Sequence, residues 1–84
     1  MINDRLRELA AMLSGHVPAP VVEDLLTYIR VDEAEIGLQS LCDVLSDEEE
    51  SLTSAEIELI HELGEALGLP PDRIEQVDEL NIGE

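Results

Sequence analysis

The sequence predicts an all-α protein: a single small bundle of four to five short helices, with residues 1–84 forming one domain. Three observations predict it. Apolar residues recur at helical spacing along most of the chain, and Gly and Pro separate the periodic stretches. Period-2 alternation never extends beyond a few residues, so strands are not expected. For 84 residues, the surface scaling law gives burial of about 63% of the unfolded chain's surface. That supports one small hydrophobic core and no deep active-site chamber.

The first helix is expected from Ile2 to Ser14, where Ile2, Leu6, Leu9, Ala10 and Leu13 share a face. Gly15 stands where a helix stop in the left-handed conformation is expected. After the loop His16–Pro20, Pro20 suits a first helical turn, and Val21, Val22, Leu25, Leu26 and Ile29 form the second stripe. Asp32-Glu-Ala-Glu35 reads as a capping box opening a third helix, whose stripe is Ala34, Leu38, Leu41, Cys42 and Leu45. Ser46–Leu52 reads as a charged loop. Thr53-Ser-Ala-Glu56 is a second capping box, and the fourth helix behind it is expected to bury Leu59, Ile60, Leu63, Ala66 and Leu67 before Gly68 closes it. Past the turn Leu69-Pro-Pro-Asp, a short weak helix is expected to make contacts through Ile74 and Val77.

Composition narrows the function. The chain carries 21 acidic residues against four arginines and no lysine, for a net charge of −17. Direct nucleic-acid binding is disfavoured, because phosphate backbones are held by Lys and Arg, and anionic membrane surfaces are disfavoured for the same reason. With 44% hydrophobic residues, the chain is too apolar to be a solvated acidic tail. The lone Cys42 cannot form an intramolecular disulfide, the start has no signal-peptide pattern, and no apolar run approaches a bilayer span. A cytoplasmic location is the expectation. Tyr28 is the only aromatic residue, which leaves no stacking platform for bases.

Groups for catalysis are scarce, and no enzyme activity, cofactor or metal is expected. Cys42 lies on an inner stripe and reads as a core thiol. His16 reads as a solvated loop residue, and His61 as a surface residue of the fourth helix flanked by Glu58, Glu62 and Glu65. Asp47-Glu48-Glu49-Glu50 lacks the alternating spacing and central glycine of a calcium loop. Gly37-Leu38-Gln39-Ser40-Leu41 looks like the phosphopantetheine attachment region of acyl and peptidyl carrier proteins. That alternative places the prosthetic group on Ser40. Against it, Gln39 stands where carriers have Asp or His, and Ser40 falls inside a helix instead of opening one.

What remains is charge. No basic residue lies between Arg30 and Arg73, while carboxylates crowd the interval. Glu58 and Glu62 are like charges one turn apart, at a cost of a few tenths of a kcal/mol. A single-sign field over half a small domain steers a basic partner. The candidate partner-binding residues are Asp43, Asp47, Glu48, Glu49, Glu50, Glu58, Glu62 and Glu65, with Tyr28 as a lesser anchor at the edge of its stripe.

Glu35-Ile-Gly-Leu-Gln-Ser-Leu-Cys-Asp43, Leu52-Thr-Ser-Ala-Glu-Ile-Glu-Leu-Ile60 and Glu62-Leu-Gly-Glu-Ala-Leu-Gly-Leu-Pro70 together resemble MafI-type immunity proteins of bacterial polymorphic toxin systems. The resemblance covers roughly residues 33–72. In the central loop this chain carries Asp47 to Glu50 where aromatic residues are expected. The resemblance implies a non-catalytic helical protein that binds and neutralises a cognate toxin domain, often a nuclease with a basic cleft.

Overall fold

The computed structural model describes residues 2–82 and is a small all-α bundle. Its helices are α1 (Ile2–Leu13), α2 (Ala19–Arg30), α3 (Ala34–Asp47), α4 (Ser54–Leu67) and the short α5 (Pro71–Glu75), followed by a 3-10 helix at Gln76–Leu80. Among the described residues there is no strand. One isolated parallel bridge pairs Leu52 with Asn81. It ties the connection between α3 and α4 to the C-terminal segment through Leu52 N–H to Leu80 O at 2.8 Å and Ile82 N–H to Leu52 O at 3.0 Å.

The stripes meet in one core. Leu6, Leu9 and Leu13 of α1, Leu25 and Ile29 of α2, Leu38, Leu41, Cys42 and Leu45 of α3, and Ile60 and Leu63 of α4 are all buried. Ile74 and Val77 close it from the C-terminal end. Each such aliphatic side chain contributes roughly 1.5–3 kcal/mol on leaving water. On α4 the buried arc is rotated from the expected one: Ala66 is exposed, and Ile57 and Gly64 face inward.

The helix ends show where short-range chemistry succeeds. Thr53 caps α4 reciprocally, with Thr53 N–H to Glu56 Oε1 at 2.8 Å and Glu56 N–H to Thr53 Oγ1 at 3.2 Å. Gly68 ends α4 with φ 74°, the left-handed cap that glycine adopts at no steric cost.

Three expectations need correction. The box at Asp32–Glu35 does not form, because Asp32 takes φ 62° and the N-cap falls on Glu33, which makes no side-chain cap bond. The shift places Ile36 at the N3 position. Backbone bonds hold that turn instead, including Glu33 N–H to Tyr28 O at 2.8 Å. Gly15 is not left-handed. Instead α1 ends in successive backbone bonds onto Leu13 O from His16 and Val17. Finally, α3 runs on through Asp47, so the acidic connection begins later than expected and turns at Glu49, with φ 51°.

Candidate functional site

The candidate carboxylates do not share one surface. Asp47 is the last residue of α3, Glu48 its C-cap and Glu49 the left-handed turn. These three are exposed and Glu50 is half-buried. Together they project an acidic knuckle ahead of α4, with no ion-pair partner among the described residues. A negative residue at the C-terminal end of α3 also opposes the helix dipole, a local cost that a cationic partner would relieve.

On α4, Glu58, Glu62 and Glu65 form one exposed stripe, as their spacing requires. The expectation that this stripe is uncompensated holds only in part. Arg5 of α1 reaches across, its Nη2 donating to Glu62 Oε2 at 2.6 Å, and Arg5 also lies 3.5 Å from Glu8. Glu58 and Glu62 line the groove between α1 and α4 together with Arg5 and Glu8. Glu65 lines a different groove, with His61, Leu69 and Ile74.

Asp43, one turn before Asp47 on α3, is already engaged. Its carboxylate accepts from Arg73 Nη1 at 3.0 and 2.9 Å and from Gln76 Nε2 at 2.7 Å, pinning α3 to the C-terminal helices. It borders the groove between α2 and α3 that also holds Tyr28. Tyr28 is half-buried, and it sits so close to α3 that a Cβ on Gly37 would lie 2.6 Å from Tyr28 Cβ. Gly37 is therefore the residue that lets α2 and α3 approach.

Both histidines are bonded in ways the sequence did not suggest. His16 is not simply solvated: its Nε2 lies 2.6 Å from Oε2 of Glu56, which is 2% exposed. His61, expected beside the glutamates of its own helix, instead pairs with Asp78 at 2.6 Å. The reciprocal cap flagged Glu56 as structural, but its second oxygen had no sequence signal. Nothing in the local pattern marks Asp78.

Cys42 is fully buried and its thiol is pushed up from 9.0 to about 12, first by burial and then by the neighbouring Asp43 charge. It stays protonated and inert at neutral pH. Among the described residues, no group of three or more His, Cys, Asp or Glu side chains is placed to hold a metal ion. Nor is any helix there long and apolar enough to cross a membrane. Ser40 lies in the middle of α3, half-buried between the grooves that flank Tyr28.

No protein-family model matches this chain, and neither a curated protein nor a solved structure does.

Proposed function

We propose that this protein is an immunity protein that binds and neutralises a basic, nuclease-type bacterial toxin domain through its acidic surface. The observation that carries this reading is the run Asp47–Glu50, with Asp47, Glu48 and Glu49 exposed, which has no basic partner among the described residues, three of the four arginines being engaged in ion pairs elsewhere. Folding leaves that field unneutralised, and such a field raises the encounter rate with a cationic surface. A small rigid bundle that presents carboxylates can occupy or flank a cleft built to hold polyanions. The resemblance of residues 33–72 to MafI-type immunity proteins supports the same reading, with action in the reducing cytoplasm.

The test is protection of cells that express a basic nuclease-type toxin domain, taken from a neighbouring reading frame where one encodes such a domain. The parent chain is expected to restore growth and to bind the domain in a pull-down. Reversing Asp47, Glu48, Glu49 and Glu50 to Lys is expected to slow association and weaken protection. Raising salt from 0.1 M to 1 M shortens the Debye length from about 10 Å to about 3 Å and is expected to slow the parent likewise. Glu23 and Glu79, exposed and outside the acidic segment, are the control reversals and should do far less. Glu8 and Glu75 are unsuitable, since they share grooves with Glu62 and Glu65. Full protection by the loop variant at limiting expression would make the acidic run a solubility feature only.

A further inference from the structure

The groove between α2 and α3 combines features that the acidic knuckle lacks. The two helices form a hairpin whose connection is only Val31–Glu33, and Gly37 lets them close on Tyr28. Along the seam, Val21 and Val44 are half-buried beside Ser40 and Tyr28. Its lip carries Ile36, which is 51% exposed although it is a large apolar residue in the first turn of α3. Ile36, Ser40, Asp43 and Asp47 recur at helical spacing on one side of α3, so the apolar lip runs directly into the acidic knuckle. On the α2 side the seam is bordered by Asp24. Asp24, Glu35 and Asp47 have no ion-pair partner among the described residues.

A strip of partly exposed apolar side chains edged by carboxylates, with Asp24 and Asp47 unpaired and Asp43 held by Arg73, has the arrangement of an interface core with its charged rim. We infer that the α2–α3 groove is the anchoring site for a cationic amphipathic helix of the protein partner, with Ile36 and Tyr28 as its apolar contacts. The inference rests on the proposed function and divides that surface in two: the Asp47–Glu50 run attracts the partner and the groove holds it. The charge around the groove selects the occupant. A second copy of this chain would set carboxylate against carboxylate, and a phosphate-bearing ligand would be repelled in the same way. A helix laid along the seam puts its apolar stripe on Val21, Val44, Ile36 and Tyr28 while Lys or Arg at its flanks reach Asp24 and Asp47.

The test uses the whole chain, isotope-labelled, with two synthetic probes of equal charge: an amphipathic helix of Leu and Lys, and a non-helical peptide of Lys and Gly. The Leu/Lys helix is expected to bind more tightly and to shift the amide signals of Tyr28, Ile36 and Ser40 first. Ile36→Ser is expected to weaken that binding about fivefold or more, the loss typical of an interface anchor, and to leave the Lys/Gly peptide unaffected. Gln39→Arg, on the same lip, is expected to weaken both through repulsion. Thermal melts verify that the variants fold. Equal affinity for the two probes, shifts confined to α4, or unchanged affinity in Ile36→Ser would each overturn the inference. The immunity reading stands or falls separately, on whether the parent chain protects cells.

Discussion

His16 and Glu56, forty residues apart in the chain, meet at 2.6 Å between Nε2 and Oε2. The contact fastens the connection between α1 and α2 to the first turn of α4. Glu56 thus uses one oxygen to cap α4, through Thr53 N–H, and the other to hold a distant loop. Among the described residues no buried side-chain nitrogen or oxygen lacks a partner.

Glu56→Ala removes both roles at once and is expected to cost about 2 kcal/mol. For a domain of this size that corresponds to a melting-temperature drop of roughly 10 °C. Thr53→Ala breaks only the cap and is expected to cost about 1 kcal/mol. Chemical denaturation of the two variants side by side checks this. Equal losses would mean that the His16 contact adds nothing.

Two glycine substitutions should move stability in opposite directions. Gly15 lies outside the left-handed region and a Cβ there meets nothing nearer than 3.8 Å, so Gly15→Ala is expected to stabilise by about 0.4–1 kcal/mol through the unfolded state. Gly37→Ala drives a methyl into Tyr28 Cβ at 2.6 Å, an atom that cannot swing away without moving α2. Overpacking of this kind costs about 1–3 kcal/mol, more than the helix propensity that alanine gains. Denaturation midpoints that shift the same way for both would contradict the packing described.

Cys42 is expected to resist thiol reagents in the native state and to label only on unfolding. Cys42→Ala should cost about 1–2 kcal/mol, with partner binding intact, since little volume is lost. The thiol also sets a pH dependence. Below pH 9 both states hold the proton, but between 9.0 and about 12 the unfolded chain releases it while the folded chain does not. Stability should therefore fall as pH rises through that window. Cys42→Ala should lose this component of the fall, as measured by denaturation at several alkaline pH values.

Ser40 is expected to carry no prosthetic group. Its place inside α3, half-buried beside the Tyr28 seam, differs from a serine that opens a helix. After co-expression with a broad-specificity phosphopantetheinyl transferase, the intact mass should equal that of the bare chain. An adduct on Ser40 would replace the immunity reading with that of a carrier.

The helices were legible because each carries its own periodic stripe, and Thr53, Glu56 and Gly68 act on neighbours within a few residues. The Asp32 cap misled because its pattern also fits a chain that turns left-handed at Asp32 and starts the helix one residue on. Backbone conformation decides between the two, and residue type alone does not. The acidic candidates were visible as a composition bias. Their division among separate surfaces was not, because Arg5 meeting Glu62 and Arg73 meeting Asp43 depend on how the helices cross. Ile36 was passed over for a related reason: it lies off the inner stripe, and only the packed bundle shows it uncovered.

The bridge at Leu52 changes what the C-terminal segment is. α5 and the 3-10 helix are too short to persist alone, yet two main-chain bonds return the segment after them to the α3–α4 connection. The ring so closed contains α4, α5 and the 3-10 helix. Opening its clasp strips Leu52, fully buried, of both main-chain partners given by the pairing. The last elements are thus expected to melt with the bundle and not before it, as part of the same cooperative unit as the helices that form the core.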